Sequence, residues 1–125
     1  MKFLLGLLFV AFTLNVTGQD SSEKVRIAMK NGDAKTLAEM FDSQVDLALE
    51  DIDDVFSRSQ AEQILKKFFE RAKPTGFSIV HEGKSRQDIE YKIGELSTKG
   101  GGTYRVTINM KTVSGKTYIH QLRIE

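Results

Sequence analysis

The chain has 125 residues, with 18 Lys+Arg against 17 Asp+Glu, a single Pro and no Cys or Trp. That length holds one compact domain rather than two, and a charge this close to zero excludes a dedicated nucleic-acid binder, whose phosphate contacts need a basic excess. Without cysteine there is no disulfide, thiolate metal site, iron–sulfur cluster or thiol nucleophile, and 28% charged with 40% hydrophobic residues describes a globular chain rather than a disordered one.

The first element in chain order is an export signal. Lys2 is followed by an uncharged apolar run, Phe3 to Val16, and Val16-Thr17-Gly18 has the small-residue pattern of a cleavage site before Gln19. The run is shorter than the ~20 residues needed to cross a bilayer. Residues 1–18 are therefore expected to be a cleaved signal peptide, and residues 19–125 one exported domain, periplasmic or secreted, with no membrane attachment afterwards. Lys2 is the only charge removed, so the mature charge is zero.

Ser21 or Ser22 caps a short helix through Lys30, with Val25, Ala28 and Met29 on one face, and Asn31-Gly32 stops it. Asp33 caps a second short helix whose apolar side is Leu37, Ala38, Met40 and Phe41. Val45, Leu47 and Leu49 alternate as a half-buried strand. Glu50 to Asp54 is an acidic turn, and Val55-Phe56 starts a second short strand. Ser59-Gln60-Ala61-Glu62 predicts a capping box. The helix it opens carries Ala61, Ile64, Leu65, Phe68, Phe69 and Ala72 as one apolar stripe, and Pro74 and Gly76 end it.

Four strands follow. Phe77, Ile79 and His81 share one face of the first, which Gly83 closes. Ile89, Tyr91 and Ile93 share a face of the second, with a bulge at Gly94 returning Leu96 inward. Tyr104, Val106, Ile108 and Met110 line the third, and Tyr118, His120, Leu122 and Ile124 the fourth. Gly100 to Gly102 and Ser114-Gly115 are hairpin turns. The polar side holds Arg105, Thr107, Asn109, Lys111, Gln121 and Arg123, with Lys92, Glu82 and Glu90 also assigned there. One polar and one apolar face suit an antiparallel sheet packed on helices, an α+β fold in the order helix, helix, strand, strand, helix, four strands.

Several of these segments together resemble a known family. They are Gly32-Asp33-Ala34 with Leu37 and Phe41, and Ser59 to Glu62 with Ile64-Leu65-Lys66 and Phe68-Phe69. Further on come Phe77 to Gly83, Tyr91 to Gly94 with Leu96, Tyr104-Arg105-Val106, and Ile119 to Glu125. The pattern is similar to domain of unknown function 4783, a family of small exported proteins of Bacteroidota. The resemblance implies a fold like nuclear transport factor 2 (cystatin-like in the wider grouping), a cone of curved sheet wrapped around helices. It implies no activity, because the family has no assigned catalytic residues to carry over, and fold analogy cannot choose among relatives that include ketosteroid isomerases, dehydratases and plain binding or dimerisation modules.

Candidate site residues follow from strand parity. His81, His120, Tyr91, Tyr104 and Tyr118 all carry the parity of the apolar face, the lining of a cone interior. His81, His120 and Tyr91 are the acid–base candidates, and Tyr91, Tyr104, Tyr118 and His120 the ligand-binding ones. Proton abstraction needs a base near neutral and a donor for the developing oxyanion. No Asp or Glu shares that face unless a bulge turns Glu95 inward, and a histidine hydrogen-bonded at the core edge is the plain structural alternative. Glu50 to Asp54 lacks the alternating ligands and central Gly of a calcium loop and is expected to be a solvated turn. Gly115-Lys116-Thr117 leads into a strand, so no helix N-terminus receives a phosphate. No cofactor or metal is expected. The functional expectation is a non-enzymatic module binding a small apolar ligand or a protein partner through the cone mouth or sheet face, with homodimerisation through the sheet. The alternative is a small isomerase, dehydratase or hydrolase-like enzyme using a pocket His and Tyr.

Overall fold

The computed structural model describes residues 21–86 and 88–125. The expected signal peptide and its cleavage point before Gln19 lie outside the described residues. The first helix, α1 (Ser21–Asn31), buries Val25, Ala28 and Met29, the three-and-four spacing of one helical face. Gly32 ends it at φ +62°, a left-handed conformation that costs glycine no Cβ clash.

Asp33 caps α2 (Ala34–Glu39) as expected, accepting the Thr36 N–H at 3.0 Å and also the Thr36 hydroxyl. The Thr36 bonds hold the Asp33 carboxyl below the ordinary aspartate range. A lowered folded value gives stabilisation that is complete above that range and lost as pH falls through the folded value. Asp33→Ala is expected to cost about 1 kcal/mol at neutral pH in urea unfolding. The gap to wild type should shrink as the pH is taken below the aspartate range, and a gap independent of pH would contradict the role of the ionised cap.

The third helix, α3 (Arg58–Ala72), is capped by Ser57 and not by Ser59. The Ser57 Oγ accepts the Gln60 N–H at 3.3 Å, and the Gln60 side chain accepts the Ser57 N–H at 3.2 Å. Ser57-x-x-Gln60 and Ser59-x-x-Glu62 fit the same box, and the earlier one also ends the preceding strand. The apolar stripe is as expected: Ala61, Leu65, Phe68 and Phe69 are buried, and Lys73 closes the helix in the left-handed region with its N–H on the Phe69 carbonyl at 2.9 Å.

Six strands form one curved, unclosed sheet: β1 (Phe41–Leu49), β2 (Ile52–Ser57), β3 (Pro74–Arg86), β4 (Ile89–Thr98), β5 (Thr103–Val113) and β6 (Lys116–Ile124), in the order β2-β1-β6-β5-β4-β3. Every neighbouring pair is antiparallel except β1 and β6, which run parallel. Phe41 belongs to β1 and not to the second helix, and Asp53 and Asp54 belong to β2, so only Glu50 and Asp51 remain in the turn. Successive strand residues face opposite ways, which keeps the acidic run from converging on one centre. At the free edge of β2 the Asp54 carboxylate accepts the following N–H, that of Val55, at 2.7 Å.

Register assigns the faces, because cross-strand partners point the same way. One inner row runs Ile79, Gly94, Val106, Ile124, Leu49, Ile52, and the next runs Glu82, Lys92, Ile108, Leu122, Leu47, Asp54. Against these rows α1, α2 and α3 pack Met29, Leu37, Leu65 and Phe68. Phe68 meets Tyr104 edge-on, with ring centroids 5.2 Å apart. Between helices and sheet the interior is occupied by these side chains and by Phe41, Leu96, Met110 and Ile119, each fully buried.

Candidate functional site

Two one-residue irregularities decide where the candidate residues stand. In β3, Ile79 pairs with Gly94 and His81 with Ile93, so Val80 is the extra residue. Gly94 itself stays in unbroken register with β5. The expected bulge therefore lies in the neighbouring strand, and the parity of β4 follows Leu96 without a break. In β6, Asn109 pairs with Gln121 and Met110 with Ile119, which leaves His120 as the extra residue. An added residue turns everything beyond it to the other face.

Tyr91, Ile89 and Ile93 consequently lie on the helix-free face, opposite Asn109, Lys111 and Thr107. His81 joins them, opposite Ile93, and is exposed. Tyr118 pairs with Lys111 on that same face, with the Lys116 ammonium 5.3 Å from its ring centroid. His120 is half-buried at its bulge, where β1 also breaks register between Phe41 and Asp46. Of the five ring residues assigned to the interior by alternation, Tyr104 alone follows inner-face register, opposite Leu96. His81 and Tyr104 line a common open groove of about 450 Å³ with Ile93, Glu95, Arg105 and Glu125. The structure does not bring His120 to that groove.

The helix-free face is an ordered surface. A row of side chains crosses five strands as Val55, Asp46, Gln121, Asn109 and Tyr91. Within it the Asn109 amide donates to Gln121, whose own amide donates to Asp46 at 3.4 Å. The row ends at Gly83, where an added Cβ would stand 2.8 Å from the Tyr91 hydroxyl oxygen, so the missing side chain is what admits the ring. The adjacent row holds Arg123, 3.7 Å from Asp53, with Thr107, Ile93 and His81.

The inner face carries a charged cluster that alternation had assigned to the outside. Lys92 stands in the row of Ile108 and Leu122 and is 4% exposed. Its ammonium lies 3.4 Å from Glu82 and 3.8 Å from Glu90, and Lys84 lies 3.8 Å from Glu90. Ser22, in the first turn of α1, donates its hydroxyl to Glu82 at 2.9 Å. These residues and Gly83 line an open pocket of about 300 Å³. The sequence signal for it was Leu96: counting back by twos from that inward residue reaches Gly94, Lys92 and Glu90. Four charges, two of each sign, can hold a ligand that itself carries both.

The family model for the domain of unknown function DUF4783 matches residues 22–125. The chain belongs to the DUF4783 family. A DUF4783 protein from Bacteroides uniformis is 31% identical, with a TM-score of 0.78 over 85% of this chain and 96% of its own. A second, from Bacteroides ovatus, is also 31% identical, with a TM-score of 0.77 over 86% and 96%. Beyond the DUF4783 proteins the likeness is of fold alone. A nuclear transport factor 2-like protein of unknown function from Silicibacter pomeroyi gives a TM-score of 0.56 at 18% identity, over 83% of this chain and 89% of that one. No curated protein matches the chain. The nuclear transport factor 2-like architecture of this DUF4783 chain therefore agrees with the α+β expectation, and none of the described helices is long and apolar enough to cross a membrane.

Proposed function

We propose that this DUF4783 protein is an exported, non-enzymatic protein-interaction module that associates through the helix-free face of its sheet, with a second copy as the partner. One observation carries the reading. Among the described residues the exposed large apolar side chains are Val55 (55%), Val80 (48%), Ile89 (37%) and Val113 (48%), and register puts Val55, Ile89 and Val113 on that face. Tyr91, Ile93 and Tyr118 stand among them, half-exposed, with Arg105 and Arg123. Aromatic side chains and arginine beside apolar ones are the residue types that dominate binding energy at interfaces. Charges of both signs share the surface: Arg105, Lys111 and Arg123 with Asp46, Asp53 and Glu95. That mixture suits an isologous pairing, in which each patch meets its own copy. An exposed His81 on the helix-free face supports association ahead of acid–base chemistry, which works best away from bulk water.

Sedimentation velocity on protein purified from its own cell envelope tests the reading. A dimer is expected at tens of micromolar, converted to monomer by Ile93→Glu with little change in thermal stability, because Ile93 lies outside the buried core. The same preparation should give an intact mass that starts at Gln19. Monomeric wild type at every concentration would overturn the association, and an intact mass retaining residues 1–18 would overturn export.

A further inference from the structure

We propose that the pocket between the first turn of α1 and the charged ends of β3 and β4 binds a small zwitterion, an α-amino acid or a short peptide with its own ammonium and carboxylate. The argument begins with the cost of Lys92. A buried ammonium loses its hydration, and an ion pair repays that loss only when its geometry is good. Close charge-assisted bonds run about 2.7–2.9 Å, whereas Lys92 stands 3.4 Å from Glu82 and 3.8 Å from Glu90, with its side chain 5% exposed. The ammonium has three N–H donors, and Glu82 is its one hydrogen-bond acceptor among the described residues. Its row continues in β5 and β6 as Ile108 and Leu122, so an aliphatic side chain would suit the position sterically. A charge kept there on loose partners is better suited to an incoming acceptor than to holding the fold.

The rim decides the class of ligand. Lys84 and Lys92 supply two positive charges, Glu82 and Glu90 two negative ones, and Ser22 a hydroxyl. A simple anion would meet two carboxylates and a simple cation two ammoniums. A molecule with both groups a few ångströms apart satisfies all four: its carboxylate on Lys92 and Lys84, its ammonium on Glu90 and Glu82. The volume of about 300 Å³ lies at the small end of ligand pockets, and no aromatic ring lines it to stack a sugar or base.

The test is an amide-resolved NMR titration of the mature protein with L-alanyl-L-alanine, its N-acetyl form and its C-terminal amide. The dipeptide is expected to shift the Gly83, Lys84 and Glu90 amides saturably at about millimolar concentration, with each blocked form at least about tenfold weaker. Lys92→Met should weaken the dipeptide about tenfold, and Lys84→Ala, at an exposed position that cannot unfold the chain, severalfold. Absence of a saturable shift at these amides overturns the proposal. So does equal binding of the N-acetyl form, which would make this an anion site, or of the amide, which would make it a cation site. None of these outcomes depends on whether the protein pairs through its sheet.

Discussion

Gly94→Ala is expected to destabilise the fold by about 3 kcal/mol, seen as a fall of about 15 °C in Tm. A Cβ on Gly94 would stand 2.7 Å from the Ser78 carbonyl oxygen and closer still to the edge of the Phe77 ring. Phe77 pairs with Leu96 and is buried, so its ring covers the gap that Gly94 leaves in the inner row. Neither obstacle yields easily: one is backbone in a paired strand, and the other is a ring held in the core. The backbone at this residue is ordinary strand, so the penalty is steric, and a Phe77→Leu change in the same chain should restore part of the loss. A Gly94→Ala protein as stable as wild type would place the Phe77 ring elsewhere and undo the face assignment of β4, on which the position of Lys92 depends.

Phe68→Ala is expected to cost about 4 kcal/mol in urea unfolding. Phe68 is 1% exposed, stacks on Phe69 at 5.7 Å between centroids and meets Tyr104 edge-on. Its removal takes away the main aromatic contact between α3 and the middle of the sheet and leaves a space that the paired strands cannot collapse to fill. Small domains have a net stability of about 5–15 kcal/mol, so the variant should populate unfolded chain at 37 °C, while Phe68→Leu keeps most of the volume and should lose less than half as much. A cost below about 1 kcal/mol would mean that α3 does not anchor the core.

α3, the Asp33 cap, both glycine turns and the inward set of β5 were readable because each signal is local: a spacing of three and four, a side chain capping its own helix, an unbroken alternation. The parity of β4 and β6 was not local. Ile89, Tyr91 and Ile93 alternate as well as any core strand, and the one sign within β4 that they face away from the helices is Leu96, which has the opposite parity. The face is set by Leu96 through the partner strands, and the one-residue offsets at Val80 and His120 belong to pairings made across the sheet. Lys92, Glu82 and Glu90 were hidden by the same error, since a charged residue between apolar ones was assigned to solvent. The Ser57 cap was missed for a different reason: two overlapping boxes compete, and the choice depends on where β2 stops.

The open sheet has consequences at its ends. A strand with free N–H groups at its rim can recruit another chain, and repeated recruitment polymerises protein into fibres. Here the β2 rim carries its own stopper: the Asp54 carboxylate occupies the Val55 N–H that an added strand would need, and Asp53 lends a second negative charge. The far rim, β3, opens with Pro74, which has no N–H to offer, and is kinked at Val80. Both flanks thus oppose lateral growth, and the pairing proposed above, through the broad side, would give a finite assembly.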